Sequence, residues 1–137
     1  MCLISKDKYP GIVLHEKEAY KIIICAPNCD YWEAPIMHTH HEYNKVLSTN
    51  EYNIGEFLQG FLRYRYKVDR GYFHAFTSFF YADYIRKQLI DNRNYDAHQL
   101  KIVKVRIPKG ALYYEHSLRR EICSNKIIVD RDLFNYL

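Results

Sequence analysis

"LKIVKVRIPKG", residues 100–110, decides the fold. Val103, Val105 and Ile107 fall at alternate positions with Lys104 and Arg106 between them, the period-two pattern of a pleated strand with unlike faces. Pro108-Lys109-Gly110 then turns the chain, because proline lacks a ladder amide and glycine accepts turn backbone. Towards the carboxyl end, ALYYEH (111–116) continues as a strand and SNKIIV (124–129) closes the sheet. DRDLFNYL (130–137) is expected to add a last helical turn.

Towards the amino end, FFYADYIRKQLIDN (79–92) sets Ala82, Ile85, Leu89 and Phe79 or Tyr81 along one stripe, with Asp83, Arg86 and Lys87 away from it. This is a helix of about three to four turns, ended at Asn92 to Asn94. GYFHAF (71–76) reads as a strand with Tyr72, His74 and Phe76 on one side, and Thr77 or Ser78 is placed to cap the helix. FLQGFLRYRYKV (57–68) alternates apolar and basic residues, as a strand pair or a strand bulged at Gly60. AYKIIIC (19–25) is a buried strand. Residues 26–41, with two prolines and no period, read as a long loop holding at most one short extended piece, and residues 1–11 as an irregular lead-in. The order implies an α+β fold: a mainly antiparallel sheet with one principal helix packed on one face, covering Val103, Val105 and Ile107. The 137 residues are expected to form a single compact domain.

Apolar residues make up 48% and charged residues 26%, which is globular composition and excludes a disordered chain. The net charge of +4 is too small to argue for nucleic acid by itself. No apolar run approaches the roughly 18 residues of a membrane span, and MCLISKDKYPG is too short in apolar residues for a secretory leader. The expectation is a cytoplasmic protein. Cys2, Cys25, Cys29 and Cys123 are then free thiols.

The residues 26–41 stretch gathers zinc-ligand types: Cys25, Cys29, His38, His40 and His41. Against a metal, Cys25 ends an apolar strand and HTHH lacks the usual three-to-five spacing between histidines, so none is assigned. Removal of Met1 would leave Cys2 as an amino-terminal nucleophile, a weaker candidate. Phe61, Arg63, Tyr64, Arg65, Tyr66 and Lys67 mix rings and cations as a single-stranded nucleic-acid platform does, but an ordinary two-faced strand explains them more simply. Glu121, ahead of the last strand, reads as a solvated edge charge. The strand-to-helix corner reads first as a plain helix cap, and among candidate ligand sites it is the one to try first. Arg63, Arg65, Arg70, His74, Thr77 and Ser78 would offer cations, hydroxyls and helix amides to a phosphate or nucleotide-like group.

MCLISK, AYKIII, GYFHAF, VRIPKGALYYE and SNKIIV together resemble a short uncharacterised protein family of gut Bacteroidetes-type bacteria and their phages, over Met1 to Val129. That resemblance implies one domain and no particular activity. A second resemblance is to the ADP-ribosyltransferase fold. It implies that Arg63 or Arg65 is the first-strand residue, HAFTS the strand-plus-helix segment, RIPKG the turn, and Glu121 the catalytic acid on the nicotinamide ribose. HAFTS departs from Ser-Thr-Ser, and Arg119 stands where a second acid belongs. The reading that ranks first is a binding domain for a protein partner or an anionic ligand, without catalysis or cofactor. An NAD-using transferase with Arg63, Arg65, His74 and Glu121 ranks second, and a single-stranded nucleic-acid binder third. A homodimer through tyrosines or a sheet edge is a further expectation.

Overall fold

A computed structural model of the chain describes residues 3–5, 9–25, 31–35, 39–49, 54–59, 63–68, 72–116 and 120–131. The strands are β1 (Leu3–Ser5), β2 (Gly11–Ile12), β3 (Lys17–Ile24), β4 (Tyr31–Glu33), β5 (His40–Glu42), β6 (Val46–Ser48), β7 (Ile54–Gln59), β8 (Arg63–Val68), β9 (Phe73–Phe76), β10 (Leu100–Ile107), β11 (Leu112–His116), β12 (Glu121–Ser124) and β13 (Lys126–Val129). A helix, α1 (Phe79–Arg93), separates β9 from β10. The larger sheet runs β2-β11-β12-β9-β3-β10-β13-β6, with the β4–β5 hairpin attached through β3; the smaller runs β1-β8-β7. Strand pairing is antiparallel throughout both sheets among the described residues.

The centre is the eight-residue pair of β3 and β10. Residues opposite one another in an antiparallel pair share a face. Val105 opposite Ala19, Val103 opposite Lys21 and Lys101 opposite Ile23 therefore define one face; Ile102 opposite Ile22 and Leu100 opposite Ile24 define the other. Both faces are covered at this point. Val103, Val105 and Ile107 join Ala19, Ile23, Ala75, Ile122, Ile127 and Val129 in a core closed by Trp32 and Val13. Leu100, Ile102, Ile22 and Phe76 pack instead beneath Ala82 and Leu89 of α1. The helix thus lies on one face, as the sequence implies, but on the side opposite the expected one. Val103, Val105 and Ile107 are buried by the β4–β5 hairpin and the Val13 segment. The reason is that β10 is apolar on both sides at Leu100 and Ile102 as well as at Val103 and beyond, and full burial of each such side chain is worth about 1.5–3 kcal/mol. We call the two surfaces the helix face and the hairpin face.

Ser78 caps α1 from extended backbone (φ −122°, ψ 129°), its Oγ accepting from the Tyr81 amide at 3.4 Å. Asn94 ends the helix at φ 56°, the left-handed region that asparagine tolerates. Arg86 donates to the carbonyls of Leu100 (2.6 Å) and Ala97 (2.8 Å), tying the helix to the start of β10. On the same face of β10, Arg106 is held by Asp130 at 2.6 and 2.9 Å, a bidentate pair, and Lys104 by Glu18 at 2.8 Å.

Other expectations are corrected. The lead-in contains β1, paired with β8, and β2, paired with β11. The loop of 26–41 contains β4 and the start of β5. The strand-pair alternative for 57–68 is the one found, with β7 paired to β8, and Gly60 lies outside the described residues. SNKIIV does not close the sheet, because β6 lies outside β13. Of DRDLFNYL (130–137), expected to add a last helical turn, residues 132–137 lie outside the described part. Among the described residues no helix is long and apolar enough to cross a membrane.

Candidate functional site

The strand-to-helix corner is built by β9, β12 and the first turn of α1. β12 pairs with β9 so that Glu121 stands opposite Phe76 and Cys123 opposite His74. All four side chains share the helix face, and Glu121 is the diagonal neighbour of His74, a separation of roughly 7–8 Å that long side chains bridge. Tyr20 of β3 stands opposite Phe76 on the other flank and meets the Phe79 ring edge-on at 5.7 Å. Tyr81 packs on Phe76 at 5.5 Å. The corner itself is clamped: the Thr77 amide donates to the Arg120 carbonyl at 2.8 Å, immediately before Glu121.

Glu121 is therefore not a solvated edge charge. It is 6% exposed in the middle of a sheet, because EICS forms a strand of its own between β11 and β9. Glu121 Oε2 and His74 Nε2 are both shut off from solvent. Taking a carboxylate out of water is costly, so this placement demands polar company. Cys123, beside them, is fully buried; burial pushes its thiol up to about 12, with the Tyr114 backbone pulling down and Glu121 adding to the rise. It stays a thiol at neutral pH and is no nucleophile.

The other candidates scatter. Ser78 spends its hydroxyl on the cap, and the exposed Thr77 contributes its amide to the clamp. Arg63 and Arg65 are in β8, opposite Gln59 and Phe57 of β7 and beyond the last β1 pair, Ser5 with Tyr66. The strands beside β9 are β12 and β3, not β8. β8 pairs with β1, which packs against β11 and β12 of the main sheet. Arg70 lies outside the described residues, as do Cys2, Cys29 and His38.

Of the zinc-ligand types, Cys25 packs against the hairpin-face core. His40 stacks on Tyr31 at 4.6 Å and points Nε2 to Glu33 at 3.5 Å. His41 packs on Trp32 at 4.6 Å with the rings tilted by 35°, meets Phe73 edge-on at 5.8 Å, and lies 3.0 Å from Thr39 Oγ1 through Nε2. Its pKa is lowered, first by burial, then by Lys21 and His40. No three of these groups come together around a metal among the described residues.

Reading the sequence missed Lys21. Once AYKIII is a strand covered on both sides, its one lysine must lie inside, and that was the available signal. Lys21 is 8% exposed and donates to the His74 carbonyl at 2.6 Å. Comparison of the chain with protein-family models, with curated proteins and with solved structures finds no match.

Proposed function

We propose that the protein binds a nucleotide-like anionic ligand over the helix face, where β9, β12 and the amino end of α1 meet. The observation that carries this reading is the burial of the Glu121 carboxylate diagonally beside His74. A buried carboxylate accepts strongly from sugar hydroxyls, and the first amides and positive end of α1 favour a phosphate. Tyr20 and Phe79 supply aromatic edges for a base. Calorimetric titration with ADP-ribose tests the reading. Binding in the wild type, weakened about 10- to 100-fold in Glu121→Gln, is the expected result; no binding, or equal binding by the variant, refutes it.

A second reading, ADP-ribosyl transfer from NAD, is favoured by one further feature. Glu121 faces the Phe76 of HAFTS across a strand pair, which suits the role the resemblance gives to a catalytic acid. Release of nicotinamide from the dinucleotide, lost in Glu121→Gln, would support it. ADP-ribose binding without any such release would leave the domain a binder.

A further inference from the structure

The hairpin face carries a buried cation that has no carboxylate partner among the described residues. Lys21 sits at the centre of β3, and lysines are almost never this deeply buried unless paired. Among the described residues no carboxylate pairs with it. Its contacts are the His74 carbonyl at 2.6 Å and the Trp32 ring, whose centroid is 5.7 Å from Nζ. An ammonium has three N–H groups, so two remain after the carbonyl is served. Trp32 is wholly buried, and its indole Nε1 makes no hydrogen bond. His41 packs on that indole at 4.6 Å, tilted by 35°, and is itself half-buried, on the side towards solvent. The β4–β5 hairpin that brings Trp32 and His41 over Lys21 joins β3 with Glu33 opposite Ile24.

We propose that Lys21, Trp32 and His41 form a binding site for a small oxyanion, a carboxylate or phosphate group, beneath the β4–β5 hairpin. Such a group supplies a counter-charge to Lys21 and accepts from its ammonium and from the indole N–H. A charge-assisted pair of this kind is the strong sort of hydrogen bond. The ammonium's pKa is lowered to about 8, with burial as the cause. The site lies on the opposite face from Glu121 and does not depend on the nucleotide reading.

Trp32 is the only tryptophan, so one indole N–H resonance reports on the site without assignment. The test titrates the protein at pH 7 with sodium phosphate and, separately, sodium acetate, at ionic strength held constant with chloride. A saturating downfield movement of the indole N–H is expected, with affinity at least about tenfold weaker in Lys21→Met. No saturable movement, or the same response in Lys21→Met, overturns the proposal. If Lys21→Met does not fold, Trp32→Phe decides by thermal melting. A phosphate-induced rise in Tm that shrinks severalfold in Trp32→Phe supports the site, and a rise of equal size overturns it.

Discussion

Lys21 fixes how stability answers to alkali. Its folded-state pKa is about 8 against an ordinary 10.5, so between those values the unfolded chain binds the extra proton. Stability therefore rises with pH across that window and falls as pH drops through it, by up to about 3 kcal/mol for the full shift. Urea titrations of the wild type from pH 7.5 to 10 should show this rise, and Lys21→Met should flatten it. Cys123 gives a second expectation at this scale. At pH 8 it resists iodoacetamide in the native protein and is alkylated once urea unfolds the chain, a difference that mass spectrometry reads directly. At single residues the sequence is legible where a role is local: the Ser78 hydroxyl follows from its place before an apolar stripe. It is opaque where burial comes from distant chain. Glu121 looked like an edge charge because β9, some 45 residues earlier, is what covers its flank.

Among the elements, β10 and α1 were readable because each carries a full period of its own pattern. The side on which the helix lands was not. Alternation in β10 singles out Val103, Val105 and Ile107, yet Leu100 and Ile102 supply a second apolar face at the end nearest α1. Ile102→Ala should accordingly cost about 2–5 kcal/mol, as a cavity under the helix. Ser78→Ala should cost about 0.5–1 kcal/mol, at the modest end for a cap because its bond is long. Chemical denaturation of the two variants checks both values and their order. β12 escaped notice because EICS shows no alternation; all four of its residues are buried. β1, β4 and β5 are three residues each, too short for any period to declare itself.

Over the whole molecule, the sheet-dominated α+β plan with its one helix was legible from the run of strand patterns around a single helical one. The division into two sheets was not, since pairing partners lie far apart in sequence. Leu100–Ile107 pairs with Lys17–Ile24, and Leu3–Ser5 with Tyr66–Val68. Closing such long loops before contacts reward them slows folding. Refolding monitored by stopped-flow Trp32 fluorescence should take milliseconds to seconds, and a microsecond phase accounting for the full amplitude would contradict this topology.

The amide of Thr77 and the carbonyl of Arg120 are joined directly, backbone to backbone, with Arg120 at a positive φ of 50°. That fastening makes the β11–β12 connection a natural port for foreign sequence. Extra residues spliced between His116 and Arg120 would be absorbed upstream of the fastening, at roughly 0.6 kcal/mol per doubling of loop length, while the acid that follows keeps its address.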